Sequence, residues 1–412
     1  MNKRVVVTGM GAITPSGIGH DIMWESIAQG KNSIAPITQF DTKDFKAKLA
    51  AEVSDFVAED FIDKKEVRRM DRFNQFAVAA AQLCIEDAKI DLDSVDLNKF
   101  GTIVGSGIGG LRVTEQEQTV FLNKGPSRVS PLLVPKIISN MAAGSIAIKY
   151  GLKGVCNCPV TACSTGANAI GDAFRMIKHG YAQRIIAGGA EAAITPLGLA
   201  GFINLTAVTQ SDDPDCASVP FDARRGGFVM GEGCGLVLLE DYELAKARGA
   251  HIYGEVVGYG TTCDAYHITA TDPNAGGATR SMQEAIDEAN ITPDMVGYIN
   301  AHGTGTAIND KSETLAVKKV FKEHANDVSI SSTKSMMGHL LGAAGSVEAI
   351  ICLKAMENSF VPPTINYKEK DPDCDLDYTV NIGRAKEINY SLSNSFGFGG
   401  HNVTLVLKKY SE

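Results

Sequence analysis

The sequence predicts an α/β protein built from two similar halves. Short apolar segments that end in glycine, such as RVVVTG near the N-terminus and FGTIVGSG at residues 100–107, alternate with helical segments. Such alternation is typical of buried sheets covered by helices. The pattern begins again near residue 251, and no low-complexity linker interrupts the chain. We therefore expect one half over residues 1–250 and a second over residues 251–412, packed as one body.

The elements of the first half are predicted from the spacing of apolar residues and from glycines at the ends of segments. After RVVVTG we expect a helix over residues 64–90, because apolar residues recur there at spacings of three and four. FGTIVGSG and VCNCPVTA (155–162) are predicted strands. The segment STGANAIGDAFRMIKHG is a predicted helix that stops at Gly180, and AQRIIAGGAE (182–191) is a further strand.

The second half repeats this order. We expect a strand in IYGEVVGYG (252–260), a helix in SMQEAIDEANI (281–291) and a strand in MVGYINAHGTGT, which ends in a polar glycine loop. A last helix is predicted over HLLGAAGSVEAIICLKAME (339–357). Its small residues resemble those of CSTGANAIGDAFRMI in the first half, which favours a duplication.

Composition narrows the function classes. The chain has 412 residues, 44% of them hydrophobic, and a formal net charge of −9, which argues against a nucleic-acid partner. Nine cysteines in a chain of this length favour a reducing compartment over a disulfide framework. The N-terminus lacks the apolar core of a signal peptide, and no apolar run of about 18 residues occurs. We expect a cytoplasmic protein with no membrane association.

Cys163 lies where a predicted strand meets a predicted helix. The free N–H groups at a helix N-terminus stabilise a thiolate, which is the nucleophilic form of cysteine. Small neighbours leave room for a substrate. The alternative is a buried structural cysteine, and we assign that role to the other eight. Cys156 and Cys158 form a C-x-C pair without further ligands at zinc spacing, so no metal site is predicted.

Two of the eight histidines follow strands as Cys163 does. His302 lies in NAHGTGT and His339 in KSMMGHLLGAAG, at the predicted start of a helix. Open α/β sheets carry their sites at strand ends, so these histidines are candidate partners of the thiol. A competing motif, GSGIGG at residues 105–110, fits a dinucleotide loop but lacks the acidic residue about 20 positions later.

Taken together, the motifs VTACSTG, NAHGTGT, KSMMGHLLGAAG and NSFGFGGHN resemble those of the 3-oxoacyl-[acyl-carrier-protein] synthases of the thiolase superfamily. The elongating synthase II enzymes are the most similar group. The resemblance extends from RVVVTGMGAITP to NVTLVLKK. It implies a thiolase-like fold, in which two duplicated α/β halves form five layers in the order αβαβα.

The resemblance also implies a reaction, the decarboxylative condensation of a malonyl thioester with an acyl group held on Cys163. His302 and His339 would bind the malonyl thioester and stabilise the enolate. The backbone N–H groups of Cys163 and Phe398 would form the oxyanion hole, and Phe398 would also act as a gate. No metal or redox cofactor is required by this chemistry.

Supporting roles carry over in the same way. Lys334 and Glu348 resemble an ion pair that tunes the histidines, although an ordinary buried ion pair is the alternative. Ile108 and Phe202 match acyl-pocket positions, and Thr304 and Thr306 match positions that contact pantetheine. The candidate contacts with an acidic acyl carrier protein are basic residues: Lys64, Lys65, Arg68, Arg69, Lys124 and Arg128. The alternative roles are core packing for the two pocket residues, turn formation for the two threonines and a solvated helix face for the basic residues. The resemblance further implies a homodimer.

Three positions depart from the family pattern. Thr206 replaces an arginine expected to contact the carrier protein, Met337 replaces a threonine beside His339, and Ser164 replaces a frequent alanine. Other functions also stay open: another acyltransferase of the superfamily (a thiolase, an initiating synthase or a standalone polyketide ketosynthase), a non-catalytic partner subunit, or a Cys–His hydrolase in which Asp310 orients His302.

Overall fold

The structure, a computed structural model that describes residues 2–411, has the predicted α/β architecture. The strands are β1 Val5–Thr14, β2 Gly17–Ile18, β3 Ala35–Pro36, β4 Leu49–Ala51, β5 Phe100–Gly105, β6 Cys156–Asn157, β7 Arg184–Glu191, β8 Met230–Gly231, β9 Gly233–Asp241, β10 Gly254–Cys263, β11 Tyr298–Asn300, β12 Ser329–Ser331, β13 Phe360–Val361, β14 Arg384–Ala385, β15 Tyr390–Gly397 and β16 His401–Lys409. The α-helices are α1 His20–Ala28, α2 Lys64–Val67, α3 Arg72–Ala88, α4 Leu111–Lys124, α5 Leu133–Ile137, α6 Met141–Tyr150, α7 Thr165–Lys178, α8 Pro196–Asn204, α9 Pro214–Ala217, α10 Tyr242–Ala247, α11 Gly276–Ala289, α12 Ala307–Phe321, α13 Lys334–Met337 and α14 Ala344–Asn358.

The main sheet repeats one pairing pattern in its two parts. Its strand order is β12-β11-β15-β16-β10-β1-β9-β7-β5-β6. Outward from β1, successive pairs are antiparallel, antiparallel, parallel and parallel, and the same order holds outward from β10. Both first pairs also carry a bulge, after Val7 in β1 and after Val256 in β10. This repeat supports the proposed division near residue 250, which stays a prediction.

The helices complete the predicted five layers. α7 and α14 contact each other and lie between the two parts of the sheet. α3 and α6 cover the outer face of the first part, while α11 and α12 cover the second. Glycines allow the outer helices to approach closely: a Cβ atom on Gly11 would lie 1.9 Å from the carbonyl oxygen of Ala80, and one on Gly260 would lie 1.8 Å from that of Ser281.

Three predicted elements are wrong in their bounds. The helix predicted over residues 64–90 is interrupted between α2 and α3, because buried Asp71 caps α3 and accepts hydrogen bonds from the N–H groups of Phe73 and Val113. VCNCPVTA is a strand only at Cys156–Asn157, since the chain then turns toward Cys163. His339 does not begin a helix: α14 begins at Ala344, after a 3₁₀ turn over Leu341–Ala343.

Candidate active site

The predicted nucleophile occupies a strained turn. Cys163 is the middle residue of a 3₁₀ turn, Ala162–Ser164, that leads directly into α7. Ala162 has a φ of 51°, in the left-handed region that non-glycine residues rarely adopt. Such strain is often found at functional sites, where the surrounding structure holds it in place.

One cavity of about 80 Å³ gathers most of the predicted catalytic and substrate-binding residues. Among its lining residues are Cys163, Phe202, His302, Thr304, Thr306, His339 and Phe398. They come from both halves of the sequence, so neither half carries the site alone. The motifs that are over 130 residues apart in sequence therefore meet at one point.

The two histidines face each other in this cavity. Their ring centroids are 5.3 Å apart and the rings are nearly perpendicular. His302 is 3% exposed and His339 is 1% exposed. Burial, together with the positive charge of Lys334, lowers the pKa of both imidazoles well below the usual 6.5. Both rings are therefore neutral at neutral pH, and each can donate one N–H to a substrate oxygen.

A buried carboxylate that the sequence analysis did not single out holds the His302 loop. Glu313 of α12 accepts hydrogen bonds from the backbone N–H groups of His302 and Gly303, both at 2.8 Å, and from the side-chain amide of Asn394. Burial raises the pKa of Glu313 to about 7. Its neighbours Ser312 and Thr314 are polar, so the local sequence gives no sign that Glu313 is buried.

Backbone hydrogen bonds to a neighbouring segment fix the position of His339. Its N–H donates to the carbonyl oxygen of Val229 at 2.7 Å, and its carbonyl oxygen accepts from the N–H of Gly231 at 2.8 Å. The edge of the Phe228 ring packs against the imidazole at a centroid distance of 5.2 Å. Met337, which replaces the expected threonine, is buried in the central core and does not line the cavity.

Lys334 and Glu348 form a buried ion pair beside the site. The Nζ atom of Lys334, at the start of α13, donates to Oε1 of Glu348 in α14. Both side chains are almost completely buried. The cation acts electrostatically on Cys163 as well as on the two histidines. The predicted pairing of these two residues is present in the structure.

The thiol of Cys163 is harder to ionise than its place before a helix predicts. Complete burial raises its pKa to about 12, while Lys334 and the backbone N–H of Phe398 oppose this shift. The sulfur therefore rests as a thiol at neutral pH. The sequence predicts the helix end correctly, but the depth of burial depends on contacts with the second half.

Phe398 lies in the glycine-rich turn between β15 and β16. Gly399 and Gly400 have φ values of 87° and 77°, which explains why glycine follows Phe398. The backbone N–H of Phe398 donates to the sulfur of Cys163. Ser164 fastens the two turns together, because its Oγ atom lies 2.9 Å from the carbonyl oxygen of Ser395 and 3.1 Å from that of His401. The serine that departs from the family pattern thus has a structural role.

The remaining predicted residues fall into three positions. The hydroxyls of Thr304 and Thr306 lie 3.0 Å apart on the cavity wall, and the ring of Phe202 lies 6.5 Å from that of Phe398. Ile108 does not line this cavity and is 38% exposed. All the predicted docking residues are exposed on the surface: Lys64, Lys65, Arg68, Arg69, Lys124 and Arg128. Thr206, at the end of α8, is also exposed.

Two alternatives disagree with the geometry. Asp310 accepts hydrogen bonds from Phe221, Asn309 and Gly305 and makes none to the His302 ring, so the proposed hydrolase contact is wrong. The amides of the GSGIGG loop bind a carboxylate of the chain itself, which argues against a dinucleotide phosphate there. Between residues 2 and 411, no helix is long and apolar enough to cross a membrane, and no group of side chains has the composition of a metal site.

Comparison with known proteins agrees with this geometry. Residues 2–245 match the N-terminal domain of the beta-ketoacyl synthase family, and residues 253–368 match its C-terminal domain. The chain is 54% identical over 409 residues to the 3-oxoacyl-[acyl-carrier-protein] synthase 2 of Synechocystis sp., covering 99% of this chain and 98% of the relative. It is 49% identical to the enzyme of the same name from Staphylococcus aureus, with 99% of each chain covered.

Solved structures of ketosynthases also superimpose on this chain. A beta-ketoacyl synthase from Burkholderia phymatum superimposes with a TM-score of 0.92 at 34% identity, covering 99% of this chain and 100% of that one. A type II polyketide ketosynthase solved in complex with its acyl-carrier protein, AntDE:AntF, superimposes with a TM-score of 0.93 at 34% identity over the whole of both chains. The chain therefore belongs to the beta-ketoacyl synthase family.

Proposed function

We propose that this protein condenses malonyl-[acyl-carrier protein] with an acyl group held on Cys163, giving a 3-oxoacyl chain two carbons longer for fatty acid synthesis. One observation carries the proposal: a buried thiol and two neutral imidazoles line the same cavity. The curated relatives named 3-oxoacyl-[acyl-carrier-protein] synthase 2, which match almost the whole chain, support it.

The first step transfers the acyl group. The sulfur of Cys163 attacks the thioester carbonyl of an acyl carrier protein and loses its proton, and a tetrahedral oxyanion forms. We assign the oxyanion to the backbone N–H groups of Cys163 and Phe398, which the 3₁₀ turn and the β15–β16 turn bring together. The carrier's thiol leaves with a proton, and the acyl group remains as a thioester on Cys163.

The second step forms the carbon–carbon bond. The malonyl thioester loses CO₂, and the electron pair of the broken bond becomes an enolate. An N–H of each neutral imidazole, His302 and His339, donates to the enolate oxygen, which lowers the barrier because the donors are fixed in place before charge develops. The enolate carbon attacks the acyl thioester, and the sulfur of Cys163 leaves and regains a proton. No metal or redox group takes part.

Mass spectrometry tests both steps. Incubation with an acyl-carrier-protein thioester is expected to add the acyl mass to the peptide that contains Cys163, and the Cys163→Ala variant serves as the control. The His302→Ala and His339→Ala variants are expected to become acylated but to release no CO₂ from the malonyl carrier. An unlabelled Cys163 peptide, or normal CO₂ release by both histidine variants, would overturn the assignment.

A standalone polyketide ketosynthase is the second candidate, favoured by the fold similarity to AntDE:AntF. The product distinguishes the two. With an acyl primer and excess malonyl carrier, a fatty acid enzyme is expected to stop after one extension, whereas a polyketide enzyme extends repeatedly without reduction. The retained Cys163 disfavours a non-catalytic subunit, and the absence of a second cysteine from the cavity lining disfavours thiolase chemistry.

The proposal also covers the protein partners, the substrate contacts and the cellular location. We assign carrier-protein docking to the exposed basic residues at α2 and near the end of α4, and pantetheine contacts to Thr304 and Thr306. Acyl-pocket roles for Ile108 and Phe202, the homodimer and a cytoplasmic location stay predictions.

A further inference from the structure

A second buried carboxylate lies near the site and has no part in the proposed chemistry. Glu191 is the last residue of β7 and is completely buried. None of the salt bridges found within residues 2–411 involves it, and burial raises its pKa to about 7. Its neighbours are instead hydrogen-bond donors, and their positions indicate what it does.

Four donors converge on this carboxylate. Oε1 accepts from the hydroxyl of Ser106 at 2.7 Å and from the N–H of Ile108 at 3.3 Å. Oε2 accepts from the N–H of Gly107 at 2.9 Å and from the N–H of Gly342 at 3.1 Å. Both oxygens are therefore fully used, and three of the donors belong to the loop between β5 and α4.

That loop, residues 106–110, lies against the turn that carries Cys163. A Cβ atom on Gly107 would lie 2.8 Å from Oε2 of Glu191 and 3.3 Å from the carbonyl oxygen of Ala162, the residue before the nucleophile. The loop also bonds within itself, because the N–H of Gly109 donates to the hydroxyl of Ser106 at 2.9 Å. Glu191 thus holds one side of the loop beside the nucleophile.

We propose that Glu191 is a positioning residue for the acyl group: its carboxylate fixes the loop of residues 106–110, and with it Ile108, beside the turn that carries Cys163. The inference rests on the proposed function, in which Ile108 belongs to the acyl pocket. Glu191 itself does not touch the reacting atoms. Because Ile108 lies outside the cavity that holds Cys163, the loop would contact the distal part of a long acyl chain and not its thioester.

The geometry predicts what a Glu191→Gln substitution does. Glutamine has one accepting oxygen, so its NH₂ group must face two of the four donors. The least costly orientation turns NH₂ toward Ser106, whose hydroxyl can rotate and accept. The N–H of Ile108, at the longest of the four distances, then loses its acceptor. The bonds to Gly107 and Gly342 remain, so the variant is expected to fold with a loosened Ile108.

Acyl-length preference is the decisive measurement. For Glu191→Gln, kcat/KM for transfer from a long-chain acyl carrier protein is expected to fall on the order of tenfold relative to that for a short chain, the effect of one lost hydrogen bond to a charged group. Malonyl-carrier decarboxylation is expected to stay within about twofold of wild type, because the Glu313 loop is untouched. A merely structural role would lower all three rates together.

Two further variants complete the design. Ser106→Ala removes one donor without altering the carboxylate and is expected to shift the length preference in the same direction, so it decides the question if Glu191→Gln does not fold. Glu313→Gln is the matched control, because it perturbs an equally buried carboxylate in the His302 loop and is expected to slow decarboxylation without changing the length preference.

An unchanged ratio between long and short acyl carriers in both Glu191→Gln and Ser106→Ala overturns the inference. So does an equal loss of acyl transfer and decarboxylation. Wild-type protein that forms no acyl-Cys163 would instead overturn the proposed function, so the two failures are distinguishable.

Discussion

The ion pair between Lys334 and Glu348 is expected to cost the protein stability and to serve catalysis. A buried ion pair offsets its loss of hydration only when the remaining donors and acceptors are also satisfied. Oε2 of Glu348 has no hydrogen-bond partner within residues 2–411. The burial of both side chains raises the penalty further. The pair is thus incompletely satisfied and is not explained by stability alone.

A double-mutant cycle makes this quantitative. Lys334→Met or Glu348→Leu alone leaves an uncompensated buried partner and is expected to lower the free energy of unfolding by about 3–5 kcal/mol. The double variant removes both charges and keeps an apolar volume, so it is expected to cost less than either single variant. The coupling energy should therefore reach about 3 kcal/mol or more. The loss expected for each single variant is large compared with a typical free energy of unfolding of about 5–15 kcal/mol.

The rate of acylation distinguishes a catalytic role of the ion pair from a role in stability. Lys334 lowers the pKa of Cys163 more than Glu348 raises it, so the loss of both charges is expected to slow acylation in the double variant despite its recovered stability. Denaturant unfolding measures the first quantity, and the rate of acyl-Cys163 formation measures the second. Additive costs in the cycle, or a stable double variant with wild-type acylation, would refute the reasoning.

The other predictions concern pH, carrier docking and packing. Because the pKa values of His302 and His339 lie well below 6.5, both rings are expected to stay neutral from about pH 8 to pH 6 in an NMR titration of the histidine side chains, and a midpoint near 6.5 for either ring would contradict this. Lys65→Glu with Arg68→Glu is expected to weaken carrier binding more at low salt than at high salt in titration calorimetry, and an unchanged Kd removes this surface from docking. Gly342→Ala is expected to lower the melting temperature by several degrees, since its Cβ would lie 2.5 Å from the N atom of Gly107, whereas Gly201→Ala, with nothing within 4 Å, should not.

Sequence reasoning is strongest where a short motif fixes both residue type and local structure. The helix that follows Cys163, the strand before His302 and the glycine loop at Phe398 each follow from a few neighbouring residues. The helix predicted over residues 64–90 shows the limit. Its apolar spacing continues from Phe73 onward, but the break before it is set by Asp71, whose second oxygen binds Val113 from a distant segment.

Glu191 and Glu313 illustrate why part of the site could not be predicted. A carboxylate at the end of a strand or in a helix gives no local sign that backbone N–H groups from other segments will converge on it. For Glu191, the N–H groups come from residues 107–108 and from Gly342, which is over 150 residues further along the chain, and the hydroxyl of Ser106 adds a fourth donor. The pKa of Cys163 has the same origin, because contacts made after folding decide how far the thiol is buried.

The duplication gives an internal argument for the oxyanion hole. The turn Leu341–Ala343 precedes α14 as Ala162–Ser164 precedes α7, and the first residues of the two turns have φ values of 49° and 51°. Gly342 thus occupies in the second half the place that Cys163 has in the first. The N–H of Gly342 donates to a carboxyl oxygen of Glu191 at 3.1 Å, so this turn holds an acceptor oxygen at the start of a helix. The same geometry would direct the N–H of Cys163 toward the oxyanion of a bound thioester.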